Sequence, residues 1–386
     1  MQRCFSGIAL IMSLLMIIIL VVLVGQFSYS VKIDSFVAEN EGQDVQLRYA
    51  LFSATNYAIA QLQLDAMKEI SNNAEWDAFT DEWATPLWSS DDPKQIGITK
   101  VYYTISDENS RFNLLNLIKE PKKKEKEKTN NNQNNNQENS NNNQENNNTN
   151  KDKDKEEGDK EEGDKEEGDK EDEEEKEYMK PDAHLERCLN ILLGRQKDFN
   201  AKKFRESIVK WMKEKKGDTE ETAGPFPTKV PLYSVKELLM VPKIVPEYLF
   251  GKIDLNDPRK SFFGIEPFTT VWSDGLININ TASSELLCSI HPKITPQISK
   301  LIIDHRGSKG LDGELRIFQK PEDIKKLEGL SEEIDTLYKD ISSVITVKSS
   351  YFRIEAFAQA ERLQKKLTTI VYRDGKKVYK LYCDFE

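Results

Sequence analysis

The hydrophobic pattern changes period twice along the chain. From Ile8 to Val24 almost every residue is apolar, and no charge occurs between Arg3 and Lys32. A run of about 20 apolar residues is long enough to cross a bilayer as a helix. Further on, Leu47, Leu51, Ala54, Ala58, Leu62 and Ala66 recur three or four residues apart, a stripe along one helix face. No proline precedes Pro86. One long helix is therefore predicted, apolar all round at first and amphipathic later, with Gly25 and Gly42 as its weak points. Residues 72–96, with Trp76, Trp83 and Trp88, read as a loop. Residues 97–108 are rich in β-branched and aromatic side chains and read as a strand.

Helical spacing returns at 184–195 and 202–216, with Asp182 expected to cap the first. Ser234 followed by Glu237 is a capping box. Residues 268–272 read as a short strand, Asp274-Gly275 as a turn, and Thr281 as the cap of a helix reaching Ile290. Three more helices are expected over 296–306, 321–330 and 331–341. After residue 342 four segments carry alternating or β-branched patterns, and Asp374-Gly375 between the last two predicts a type I′ hairpin. A strand near residue 100 and four after 342 bracket a mainly helical stretch, 109–341. The fold class this predicts is α+β, with a long N-terminal helix on an antiparallel sheet and a helical block inserted into it.

Charge narrows the reading. The chain carries a net −11, and residues 120–177 alone hold 12 Lys against 22 Asp and Glu. The rest is nearly neutral, which argues weakly against a nucleic-acid partner. Lys and Glu dominate 121–128, Asn and Gln dominate 129–150, and three EEGDK repeats fill 156–170. With so few apolar residues the segment cannot offset its ordering entropy, so a disordered insertion is expected over 120–177. Cys188, Cys288 and Cys383 have no metal-ligand spacing. In an oxidising compartment Cys188–Cys288 is the candidate disulfide, with connectivity left open. His184, His291 and His305 lie far apart, and no nucleotide-binding loop or hydrolase motif is present. No catalytic residue, cofactor or metal site is expected, and the chain does not read as an enzyme.

Residues 278–306 have the shape of a helix-hairpin-helix unit, with a shorter copy at 238–251. DNA-binding units of this kind aim Gly-x-Gly amides at a phosphate. Here the hairpin is Ile290-His291-Pro292-Lys293-Ile294-Thr295, without glycine and with Pro292 lacking an N–H. Packing between protein segments is the expected role.

The N-terminus has three readings. A short basic leader ends at Gly7, the apolar run starts at Ile8, and no A-x-A site follows. A cut between Gly7 and Ile8 would be of the prepilin kind. A cleaved secretory signal and an uncleaved anchor are the alternatives.

Taken in order, the leader ending at Gly7, residues 105–117, 231–251, 268–290 with the following IIDHR, and 350–361 resemble the K minor pseudopilin family of type II secretion systems (general secretion pathway protein K). The resemblance covers most of the chain outside 120–177. It implies a leader (1–7), a transmembrane helix (8–30) and the first part of a pilin-like domain (31–108). An inserted α-helical domain with SAM-like, helix-hairpin-helix units (109–341) and C-terminal pilin-like strands (342–386) follow. It implies a structural role at the tip of a pseudopilus, with the I and J minor pseudopilins, the prepilin peptidase and the inner-membrane secretion platform as partners. It places the chain in the inner membrane with its globular part in the periplasm. Most pseudopilins carry Glu at the fifth mature position, and the K subunit lacks it. Counting from Ile8, that position here is Met12. Some members hold calcium. Where the family often has an acidic Trp-Ile-Asp type segment, this chain has Lys210-Trp211-Met212-Lys213-Glu214-Lys215-Lys216, so none is expected. A membrane-anchored DNA receptor of the competence type is the alternative reading.

Overall fold

A single helix, α1 (Gln2–Asn72), takes up the first 71 residues. At 1.5 Å per residue it is roughly 105 Å long. It runs unbroken through Gly25 and Gly42. A Schellman motif ends it: Asn73 takes φ +51°, its amide bonds Ile70 O at 3.4 Å, and the Ala74 amide bonds Glu69 O at 2.9 Å. The computed structural model describes residues 2–119, 177–197, 199–216, 231–310, 313, 316–327, 334–361 and 363–386. Most of the low-complexity segment and residues 217–230 lie outside them.

The stripe seen in the sequence is the face α1 buries. Leu47, Leu51, Ala54, Ala58 and Leu62 are all fully buried. They pack on an antiparallel sheet built from β1 (Lys94–Ile96), β2 (Thr99–Asp107), β9 (Tyr351–Ala360), β10 (Leu363–Asp374) and β11 (Lys377–Phe385), in the order β1-β2-β9-β10-β11. The remaining strands are two-residue pieces: β3 (Phe112–Asn113), β4 (Gly251–Lys252), β5 (Phe262–Phe263), β6 (Thr269–Thr270), β7 (Ile277–Asn278) and β8 (Ile345–Thr346). Period-two alternation sends Val101, Tyr103 and Ile105 of β2 and Phe352, Ile354, Ala356 and Ala358 of β9 into the core. Each large apolar side chain so buried is worth about 1.5–3 kcal/mol. Alanines on both the helix and β9 let the two approach closely.

β2 and β9 are direct neighbours, with Tyr103 opposite Ala356, although the chain between them runs from Glu108 to Ser350. That excursion has its own apolar core, with Leu185, Leu189, Ile208, Leu238, Leu286, Phe318 and Leu337 at its centre. Its helices are α2 (Pro181–Leu193), α3 (Ala201–Lys216), α4 (Pro246–Phe250), α5 (Ser284–Ile290), α6 (Pro296–Gly307) and α7 (Ile334–Ile341).

Several local expectations need correction. Asp182 does not cap α2; Lys180 holds the cap position without a side-chain bond, and Asp182 pairs with Arg205 at 3.0 Å. Thr281 is not the cap of α5. Ser283 is, two residues later, accepting from the Leu286 amide at 3.2 Å. Of the helix expected over 321–330, Pro321–Lys326 is a 3₁₀ turn, and residues 328–330 lie outside the described residues. Of the four C-terminal strand segments, β8 leaves the sheet and pairs in parallel with β7. At the last hairpin Asp374 faces Lys377, so the central pair is Gly375-Lys376. Only Gly375 has positive φ, +52°. A type I′ turn needs both, and glycine first is the type II′ pattern. Cys188, Cys288 and Cys383 are all free thiols, so the candidate disulfide is not formed. Burial pushes the Cys188 thiol up to about 12.

Candidate functional site

The first candidate feature is the apolar half of α1. Among the described residues this is the one helix long and apolar enough to cross a bilayer, and none of its most apolar stretch is buried in the protein. Gly7, Ile8 and Met12 all fall on it. Met12 is 64% exposed among similarly exposed Leu, Ile and Val side chains.

A second feature, absent from the sequence reading, is a buried polar junction between the two cores. Arg373 of β10 is its centre. One guanidinium nitrogen donates to Asp65 at 3.1 Å and Glu69 at 2.9 Å, both on α1. The other donates to Asp77 and to Ser349 O. Asp77 in turn accepts from the Ser349 amide at 2.8 Å. Asn278, at the edge of the helical block, donates to Asp77 O at 3.0 Å, Asp107 at 3.2 Å and Ser349 Oγ at 2.8 Å. Thr281 and Ser349 hydroxyls donate to Asp107 at 2.5 and 2.6 Å. This explains the missing cap: the Thr281 side chain is used on Asp107.

A second ionic knot lies beside it. Arg353 of β9 reaches Glu108 at 2.5 Å and Glu266 at 3.1 Å, and Thr270 donates to Glu108. The amides of Asn109, Asn113 and Asn116 then hold the 273–276 turn, bonding Asp274 Oδ1, Ser273 O and Gly275 O. Two of the segments that carry the family resemblance, 105–117 and 268–290, are thus partners in space.

Burial sets the protonation of these groups. It raises the Asp65 carboxyl, and it raises Glu69 with added repulsion from Asp77. It lifts Asp107 to about 7 against the hydrogen bonds from Ser349 and Thr281, and Asp81 to about 6. Burial alone would raise Glu108 too, but Arg111 and Arg353 hold it below the ordinary glutamate range.

The oxygens of Asp65, Glu69 and Asp77 lie within 4.8 Å of one another, a spacing that suits a cation. The Arg373 guanidinium already fills that role. The Lys210–Lys216 segment closes α3, and its Glu214 lies 3.8 Å from Lys210. Neither place fits calcium.

The helix-hairpin-helix unit is α5, the Ile290–Thr295 hairpin and α6, with Thr295 capping α6 through the Ile298 amide at 3.4 Å. The hairpin amides are used internally. Lys293 N donates to His291 Nδ1, Ile294 N to His291 O and Thr295 N to Lys293 O, each at 3.0 Å. The neighbouring arginines also face inward. Arg306 donates to Ile279 O and Ala282 O at 2.7 Å, and Arg187 to Ser289 O and Ile290 O at 2.7 and 2.8 Å. The shorter copy at 238–251 is a 3₁₀ helix, Val235–Met240, with the predicted Ser234–Glu237 capping box, followed by α4.

The histidines form no constellation. His184 is buried against Ser289 Oγ at 2.8 Å, and burial drives it down to about 3. His291 sits 3.6 Å from Asp340. His305 stacks on Phe318 with ring centres 4.8 Å apart.

The junction had a faint trace in the sequence. Asp65 and Glu69 fall on the apolar stripe of α1, and Asp107 and Arg373 continue the inward registers of β2 and β10. A charged residue on a core-facing position calls for a partner, but which partner depends on topology.

Comparison with known proteins follows the same lines. The family model of the helix-hairpin-helix motif matches residues 273–334. No curated protein sequence matches the chain. Among solved structures it is similar to a chain of "The Crystal Structure of the GspK-GspI-GspJ complex from enterotoxigenic Escherichia coli Type 2 Secretion System". The TM-score is 0.51 at 12% identity, over 90% of this chain and 99% of that one. The likeness shows the fold: a pilin-like α+β domain with an inserted helical region that contains a helix-hairpin-helix motif.

Proposed function

We propose that the chain is a minor pseudopilin of the K type, a structural component of a type II secretion pseudopilus. The observation that carries this is architectural. An exposed apolar helix continues into the sheet-packed helix of a pilin-like domain, and a whole helical block is threaded between two adjacent strands. The likeness in fold to a chain of the GspK-GspI-GspJ complex supports it.

The physical roles follow from the parts. The apolar half of α1 holds the chain in the inner membrane, with the body in the periplasm. The block is too bulky to fit between stacked subunits, which favours the tip. Met12 agrees with that position. A carboxylate left unpaired in lipid costs several kcal/mol, and a tip subunit has no neighbour ahead to pair with it. The prepilin peptidase would cut after Gly7. No chemistry of its own is required of the chain. The DNA-receptor reading is not favoured, because the hairpin amides and nearby arginines are already bound to the protein itself.

The test is co-expression of the tagged full chain with the I and J minor pseudopilins of the same source, followed by detergent extraction. The tagged chain should retain both partners through purification. Recovery of the chain alone would sink the reading.

A further inference from the structure

Large apolar side chains stand almost wholly in water on one hairpin of the helical block. β4 and β5 close a hairpin over residues 251–263. In it Ile253 is 83% exposed, Leu255 90% and Phe263 70%. Exposed apolar side chains gathered on one hairpin mark an interaction surface. The loop holds them there. Asp254 accepts from the Asn256 and Asp257 amides at 2.9 and 3.0 Å, and the Asp254 amide donates to Ser261 Oγ at 2.9 Å. Asp257 accepts from the Arg259 amide at 3.2 Å. At the base, Gly264 passes so close to α4 that a Cβ would lie 2.1 Å from Leu249 O.

This arrangement separates the charges. The two aspartates turn back on the loop backbone, while the Arg259 and Lys260 side chains are 92% and 69% exposed. An open groove of about 670 Å³ lies against the hairpin, lined by Arg195, Lys197, Lys252, Arg259 and Lys260. Among the described residues Glu247 and Glu285 also line it and Asp254 and Asp257 lie on the same hairpin, but Arg259 and Lys260 are the charges most exposed.

We propose that the hairpin tip and its basic groove dock on an anionic phospholipid bilayer, a membrane contact separate from the α1 anchor. Ile253, Leu255 and Phe263 enter the boundary between headgroups and acyl chains, a depth of about 5–10 Å. The bases of the groove meet the lipid phosphates. A bilayer receives exposed apolar side chains without a preformed pocket and supplies anionic charge beside them. The Asp257 pairs to Arg259 at 3.2 Å and Lys260 at 3.6 Å are surface pairs of little worth, and they exchange readily for phosphate.

The test uses the full chain in nanodiscs of phosphatidylcholine. These are mixed with vesicles of phosphatidylcholine alone or of an equal mixture with phosphatidylglycerol, and co-flotation is measured. Nanodiscs should float with the mixed vesicles at low salt and less so at high salt. Ile253→Asp with Leu255→Asp should cut recovery by about tenfold or more. Both side chains are exposed, so the melting temperature should not change. Arg259→Glu with Lys260→Glu should reduce recovery to the level of neutral vesicles. Three results would overturn the proposal: no flotation, equal flotation with both vesicle types, or full flotation of the double aspartate variant. Nanodiscs that associate with one another without vesicles would give the surface to a second copy of the chain instead.

Discussion

Arg373 balances three carboxylates at a place where two cores meet. With Asp65, Glu69 and Asp77 on one guanidinium, its removal leaves a buried acidic cluster without its cationic partner. Arg373→Met should destabilise the protein by about 3–5 kcal/mol, the usual cost of breaking a buried ion pair, read from urea unfolding in detergent. Arg373→Lys should recover little, because one ammonium cannot replace a fork that reaches three acids. The same residues set a pH dependence. Asp65, Glu69, Asp107 and Asp81 have folded pKa values raised above the ordinary carboxylate range, Asp107 to about 7 and Asp81 to about 6. Between that range and those values the folded state holds more protons than the unfolded one. Stability therefore falls as pH rises through the window. The lowered Glu108 acts in the opposite sense, losing its contribution as pH falls below the ordinary glutamate range. The melting temperature should be higher at pH 6 than at pH 8.5, and Asp107→Asn should flatten that slope. A flat or rising profile in the parent chain would contradict the reading. At the other end of the chain, Met12→Ala should leave capture of the I and J partners intact, and Met12→Glu should weaken it. Equal capture would remove Met12 as a marker of the tip.

Helix caps and strand edges carry the next level. Ser283 and Thr295 cap the two helices of the hairpin unit, and replacing either by Ala should cost about 1 kcal/mol. Thr281→Ala should also destabilise, by loss of the hydrogen bond to Asp107 and not through the helix, so Thr281→Ala and Asp107→Asn should be non-additive in a double-mutant cycle. The outer strand β11 bears Lys377 and Lys380 and faces a bulge at Ile370/Val371, devices that blunt an edge against further pairing. Elements of strong period were legible from sequence. The stripe of α1, the alternation of β2 and β9, and the capping box at Ser234 needed no tertiary information. Short pieces were not. β3, β6, β7 and β8 are two residues each, too brief to show a period, and they exist because the chain crosses between the two cores there. The cap of α5 was misplaced for a similar reason. Thr281 and Ser283 have equivalent side chains for the task, and only the position of Asp107 decides between them.

For the molecule as a whole, the order of segments foretold an inserted block, because strand patterns enclosed a helical one. The fold follows: β2 and β9 pair across the excursion, and each core closes on its own apolar set. The pairing across the polar seam that joins them could not be read, since Asp65, Asp107, Asn278 and Arg373 lie far apart in the chain and only the topology brings them together. Deleting residues 121–176 should leave the melting temperature unchanged within a degree or so, because a segment so poor in apolar residues has little to contribute to either core. A drop of several degrees would show a stabilising role. In the proposed function α1 begins as a processed pilin-type helix. Mass spectrometry of the N-terminus, on full chain recovered from membranes of the native host, is the test. A mature chain starting at Ile8, with a methylated amine, is expected. An intact leader, or a cut beyond Val24, would contradict it.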